Sequence, residues 1–309
     1  MKSLNLSLLK RLCSIHAPSG HEDAMREFLL EYVNQYKKSW QTTPEIFAGE
    51  EFQNAIVLVF GNPRTAVYAH MDSIGLTARY DNNLVKIGSP KSVSGYKLVG
   101  ADSKGPISCE LKADENTLEL KAVLNRAIDP GTEFTFECDF RSNDDFVQSC
   151  YLDNRLGVWI ALQLAETLQN GAIVFSCWEE HGGGSAGMAA GFLLQKYGIR
   201  QSLICDITWI TEGVTHGKGV AVSIRDSGIP RRSYVNRIRK ILDEHKFEYQ
   251  VEVEASGGSD GNEIQKSPFA VDWCFIGAAE DFVHTPDEKV HKSDIVSMLQ
   301  AYQLLMDKL

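Results

Sequence analysis

No stretch of this sequence approaches the roughly eighteen consecutive apolar residues that a membrane helix needs, and no block of lysine and arginine offsets a formal net charge of −10. The first lack argues against a membrane partner. The second argues against nucleic acid, which is bound through a basic face. Cysteine is sparse and odd in number, seven residues in all. Of these, Cys177, Cys205 and Cys274 lie in apolar runs, where a reduced thiol serves as a small core side chain, so a reducing cytoplasm is the expected setting. The opening stretch MKSLNLSLLKRLCSIH breaks up its apolar residues with polar and basic ones, which reads as an amphipathic helix and not as a signal peptide. What the chain does have is 309 residues with 43% hydrophobic content, enough to bury an ordinary core in one large domain or two. Its surplus of acid leaves room for a cation site.

Along the chain, residues 4–13 and 22–38 read as helices separated by the turn APSG, with Met25, Phe28, Leu29, Tyr32 and Tyr36 at helical spacing. Residues 54–60 and 65–69 read as neighbouring antiparallel strands joined by a tight link. From about Gly75 to Val147 helical periodicity gives way to short alternating runs, which predicts a small β-rich insert at 75–147 within a larger domain of residues 1–74 and 148–309. Helical patterning resumes after Asp153, with Leu156, Ile160, Leu164 and Leu168 on one face. Asp153 falls at the first turn, where capping alone would explain a carboxylate.

Glu179 and Glu180 follow the apolar run 172–178 and precede a glycine cluster, so they are expected at the end of a buried strand. Two adjacent acids in a partly dry site need a cation or a shared proton. A solvated strand end is the plain explanation for an isolated pair, but the pattern recurs. His70 with Asp72, Asp153, Asp206 where the apolar run of the strand SLICDIT ends, and His284 beyond a strand ending at Ile276 each sit immediately after an apolar strand run or in the helix or loop that follows one. Strand ends are where open α/β sheets place ligands. Two imidazoles with several carboxylates suit zinc, cobalt or manganese better than magnesium or calcium. With no cysteine among them, an open and catalytic site is favoured over a closed structural one. His16, His21, His181, His216, His245 and His291 are better explained as surface or capping residues.

The motifs APSG followed by Glu22, AHMD with IG at 69–75, DNR at 153–155, EE at 179–180, DIT at 206–208, GKG at 217–219, GGSD at 257–260 and HTP at 284–286 occur in this order. In that order they resemble the co-catalytic two-metal aminopeptidases, especially the tetrahedral group that includes glutamyl and leucyl aminopeptidases. The resemblance implies that Asp153 bridges two metals, with His70 and Asp206 on one ion and Glu180 and His284 on the other. It implies Glu179 as the general base that takes a proton from a metal-bridging water, and Asp72 as the residue fixing the His70 tautomer. Lys218 and Asp260 would lie near the site without acting in it. One departure is the HGGGSA stretch after Glu180, where the family has a shorter pattern, so the substrate loop is expected to differ.

The expected fold is therefore α/β, a three-layer sandwich with a mixed central sheet and a small inserted β-barrel-like domain. The expected function is a cytoplasmic metallo-aminopeptidase using two divalent transition-metal ions, zinc first, on peptides with a free N-terminus. A homo-oligomer is expected, dimer or dodecamer. Within enzymes the rival is a related two-metal carboxypeptidase or N-acyl amidohydrolase. The rival of another class is a non-catalytic assembly or binding protein on the same scaffold, which the complete donor set speaks against.

Overall fold

The computed structural model describes residue 4 and residues 6–114 and 116–309. The first three residues and Asn5 of the N-terminal helix reading lie outside the described residues. Helices α1 (Leu6–Cys13) and α2 (Asp23–Tyr36) open the chain, burying Leu9, Leu12, Met25, Leu29 and Val33. Three strands follow: β1 (Glu45–Phe47), β2 (Ile56–Phe60) and β3 (Ala66–His70). The chain then leaves the sheet for β4 (Gly75–Ala78), β5 (Asn83–Ile87), β6 (Lys97–Asp102), β7 (Gly105–Ala113), β8 (Leu120–Val123) and β9 (Glu133–Phe136). These six close into a barrel in the order β4-β5-β8-β7-β6-β9. Leu76, Leu84, Leu98, Leu111, Leu120 and Phe134 fill it, as the alternation of a small barrel requires.

The chain rejoins the large sheet through β10 (Arg141–Ser142) and β11 (Phe146–Ser149), the latter pairing with a strand near the C-terminus. The sheet thus resumes at Arg141 and not at 148, because Phe146 and Val147 continue the alternating texture of the barrel and give the sequence no sign of the change. After them come α3 (Leu152–Ala165), β12 (Gly171–Ser176), α4 (Ser185–Tyr197), β13 (Gln201–Trp209), β14 (Ala221–Arg225) and α5 (Arg232–Glu244). The remainder is β15 (Gln250–Val253), α6 (Asp260–Lys266), β16 (Asp272–Asp281), β17 (Glu288–His291) and α7 (Lys292–Lys308).

The large sheet is mixed, ordered β1-β2-β12-β3-β13-β16-β17-β11-β10, with β14 and β15 branching from β16. β2 and β3 are not neighbours. The wholly buried strand β12 lies between them, antiparallel to β2 and parallel to β3, so the link after Phe60 spans two strand spacings, roughly 10 Å. Six consecutive buried residues make β12 suited to the interior of a sheet covered on both faces. Successive side chains divide between the faces. Ile56, Leu58, Val67, Ile173 and Phe175 pack toward α1, α2, α3, α5 and α7, whereas Val57, Val59, Tyr68, Ala172 and Val174 pack toward α4 and α6. The result is a three-layer sandwich carrying a barrel between β3 and β10.

Because Phe175 lies fully buried in the larger core, Phe175→Ala should cost roughly 3–5 kcal/mol in urea denaturation. Val85→Ala, at a barrel position that is 42% exposed, should cost less than about 0.5 kcal/mol.

Candidate metal centre

The parallel strands β12, β3, β13 and β16 carry their C-terminal ends to one edge of the sheet. His70 is the last residue of β3 and stands opposite Ser176, the last of β12. Three residues after Ser176 the chain forms a short 3-10 turn, Glu179–His181, entered through Trp178 at a φ of 63°. Gly182, Gly183 and Gly184 follow at φ of 103°, 72° and 135°, conformations that side chains resist. The HGGGSA stretch is thus a reversal that leads the chain into α4.

Asp206 lies inside β13 and not at its end, since pairing with β16 continues to Trp209. β16 likewise continues past Ile276 to Asp281 before His284. Asp153 does not cap α3. The backbone at Asp153 and Asn154 is non-helical, their peptide bond is cis, and the helix makes no side-chain cap there.

The seven predicted residues converge. His70 Nε2 stands 3.3 Å from Asp153 Oδ1, 3.4 Å from Asp206 Oδ2 and 3.9 Å from Glu179 Oε2. His284 Nε2 stands 3.3 Å from Asp153 Oδ2 and 3.2 Å from Glu180 Oε2. The two oxygens of Asp153 therefore face different groups, one with His70 and Asp206, the other with His284 and Glu180. On its far side His70 presents Nδ1 to Asp72 Oδ1 at 3.4 Å. Asp72 also accepts the backbone N–H groups of Glu179 and Glu180, at 3.2 and 3.1 Å, and the Ser19 hydroxyl at 2.5 Å.

This cluster carries more negative charge than its imidazoles can match. Burial disfavours the charged ring of His284, yet Asp153 and Glu180 push its pKa up to about 12. Burial and Asp153 push Glu180 up to about 7, while burial, with Glu180 and Asp206 adding repulsion, raises Glu179 well above the carboxylate range. His284, Glu179 and Glu180 thus hold protons tightly, as groups do in a site short of positive charge, while the two imidazoles hold Asp153 below the usual carboxylate range. Both ring nitrogens of His70 and Glu180 Oε1 are buried without a hydrogen-bond partner. Donor atoms of His70, Asp153 and Glu180 lie within 4.8 Å of one another. These residues fit divalent cations by donor type, by charge and by their unused lone pairs.

Other residues support the cluster, and of these Glu288, Ser89 and Glu280 carry no local signal in the sequence. Glu288, buried in β17, accepts the backbone N–H of Asp153 at 3.1 Å with one oxygen and that of His284 at 3.0 Å with the other. Ser89, just beyond barrel strand β5, hydrogen-bonds His284 Nδ1 at 2.8 Å. Ser259 donates to Asp206 Oδ2 at 2.6 Å, and its neighbour Asp260 accepts from Ser176 at 2.5 Å. Glu280 is buried with neither carboxylate oxygen hydrogen-bonded, and burial beside Glu288 pushes its pKa well up. The GKG motif is a turn whose Gly217 and Gly219 N–H groups are held by Asp294 of α7. His291 accepts from Ser293 N as the cap of α7. His16, His21, His181, His216, His245 and His291 stay off the cavity lining.

The sequence model of the M42 glutamyl aminopeptidase family matches residues 99–300. A putative aminopeptidase of Acetivibrio thermocellus is 25% identical over 93% of this chain and 94% of its own. Among solved structures, the aminopeptidase APDkam598 from the archaeon Desulfurococcus kamchatkensis superposes with a TM-score of 0.84 at 19% identity, covering 98% of this chain and 94% of that one. The TET1 peptidase of Pyrococcus horikoshii, which can assemble into a tetrahedron or a large octahedral shell, does so at 0.81 and 20% identity, over 98% and 99%.

An amide can accept at only one end, so Glu288→Gln should set an NH2 group against a backbone N–H of Asp153 or His284. The expected cost is roughly 1–3 kcal/mol, read as a lower urea midpoint with an unchanged slope.

Proposed function

Because the chain belongs to the M42 glutamyl aminopeptidase family, we propose that it is a peptide hydrolase that removes N-terminal residues with two divalent transition-metal ions, zinc first among them. The observation that carries this reading is the division of the Asp153 carboxylate, Oδ1 toward His70 and Asp206 and Oδ2 toward His284 and Glu180. His70 and Asp206 would hold one cation, His284 and Glu180 the other, with Asp153 shared between them. When bound, such a pair polarises the scissile carbonyl and lowers the pKa of water.

The protein's own groups supply the remainder. Glu179 stands 3.9 Å from His70 Nε2, farther than Asp153 at 3.3 Å and Asp206 at 3.4 Å, and is free to take a proton from the attacking water onto a carboxylate oxygen. It then delivers that proton to the nitrogen of the leaving amine. The Asp72 carboxylate, 3.4 Å from Nδ1, favours the proton of His70 on that nitrogen and so leaves the Nε2 lone pair toward the cavity. Through the N–H groups of Glu179 and Glu180 it also fixes both glutamates. Glu288 positions Asp153 and His284 through their backbones. None of these positioning residues needs to touch the substrate.

A carboxypeptidase or N-acyl amidohydrolase would share the donor set. The family match and the Acetivibrio relative favour the free-amine reading. Self-association is part of the same proposal, on the strength of the assemblies that the Pyrococcus structure forms.

Elemental analysis should find about two transition-metal equivalents per chain, and chelation should abolish hydrolysis of aminoacyl-p-nitroanilides, restored by zinc, cobalt or manganese. Cleavage of N-acylated but not free substrates would reject the aminopeptidase in favour of its rival. Glu179→Gln should retain metal while losing at least about a hundredfold in kcat. Full activity in that variant would mean another base.

A further inference from the structure

One wall of the catalytic cavity has no part in the chemistry described above. The cavity, about 300 Å³, is lined by the metal-side acids and also by Asp226, Glu252 and Glu254. Asp226 follows β14, Glu252 lies in β15, and Glu254 follows that strand. β14 and β15 run parallel with Ser223 opposite Glu252, and a bulge after Ser223 shifts the register. The Thr208 hydroxyl donates to Glu252 Oε1, which ties this wall to β13 two residues past Asp206.

Among the described residues no lysine, arginine or histidine forms an ion pair with the three acids. Asp226 is only 5% exposed. Its Oδ1 accepts the Gly228 N–H at 2.5 Å. Arg225 directs its Nε to the carbonyl oxygen of Asp226, 3.3 Å away, and not to the carboxylate. No lysine or arginine lines the cavity, and among the described residues no basic nitrogen lies within 4.0 Å of these carboxylates. Two divalent ions would match the charge of Asp153, Glu179, Glu180 and Asp206, leaving Asp226, Glu252 and Glu254 in excess. Burial, then repulsion from Glu252, pushes Asp226 up to about 6, and burial raises Glu252 as well. An arriving cation would relieve both. Ile207, Trp209 and Phe275 line the same cavity and offer apolar surface to a methylene stem.

We propose, resting on the aminopeptidase reading, that this wall receives the side chain of the substrate's first residue and selects lysine and arginine, whose charged heads pair with Asp226 and Glu254. Glutamate would meet three carboxylates there and is rejected, a preference opposite to the one in the family's name.

The test is kcat/KM for Lys-, Arg-, Leu- and Glu-p-nitroanilide with the metal-loaded protein. Lysine and arginine should exceed leucine by about tenfold or more, with glutamate lowest. Asp226→Asn and Glu254→Gln should each lower the Lys-to-Leu ratio by about tenfold, mainly through KM. Glu254→Lys, at a half-buried position, should raise the Glu-to-Leu ratio. In an activity-free thermal-shift titration, lysinamide should raise the melting temperature at lower concentration than leucinamide.

Leucine or glutamate cleaved at least as well as lysine and arginine, unchanged ratios in the variants, or the reverse order of amides would overturn the subsite and leave the aminopeptidase standing. No cleavage of any free-terminus substrate would overturn both.

Discussion

Carboxylates that crowd two imidazoles at the edge of a buried sheet are the constraint that the surrounding structure answers. Such a cluster repels itself, and a flexible scaffold would let it spread apart. Here each member is fixed by elements that have little freedom to move. His70 and Asp206 ride on central strands covered on both faces, and Asp153 enters a helix whose first turns are buried. The Glu pair is pinned by two backbone hydrogen bonds to Asp72. The hydrophobic layers supply the stability against which this unfavourable local charge is held.

The donor residues were legible because each is a ligand-type side chain that interrupts an apolar run, and their order matched a known pattern. Where strands end was less legible. Ile276 reads as the end of a strand, yet β16 runs on through Ala278 and Ala279, and Asp206, which closes an apolar run, sits inside β13 with Ile207 and Thr208 paired beyond it. An acid within a run reads as its end, but inside the protein Asp206 is satisfied by the Ile207 N–H and by Ser259, so pairing continues past it. Asp153 reads as a cap from sequence, and only the third dimension brings its two oxygens between two histidines. Glu288, 135 positions beyond Asp153, and Ser89, 195 positions before His284, have no neighbours in sequence that hint at their roles. Nothing in the sequence around Asp226 and Glu252 marks them as cavity-lining, because their place depends on a parallel pairing that sequence patterning does not specify.

The architecture also separates two demands. Donors sit on strands and on the turns immediately after them, where backbone hydrogen bonding holds positions closely. The acidic wall around Asp226 sits at the branch of the sheet, where β14 and β15 leave the main path. Asp226 and Glu254 lie just beyond the ends of β14 and β15, off the strands that carry His70 and Asp206. A scaffold arranged this way can keep one chemistry and change the side chain it admits.

The spread of the donor set along the chain has a consequence for the protein's own synthesis. His70 is made early, the whole barrel and three further donors follow, and His284 comes last, after β16 is complete. A nascent chain that has folded its first strands and its barrel still lacks the imidazole that pairs with Glu180. Its companion hydroxyl, Ser89, is already waiting on the barrel side. A peptidase built in this order has an unfinished centre until the segment after β16 has emerged, so it cannot cut peptides while only its first strands and its barrel have folded.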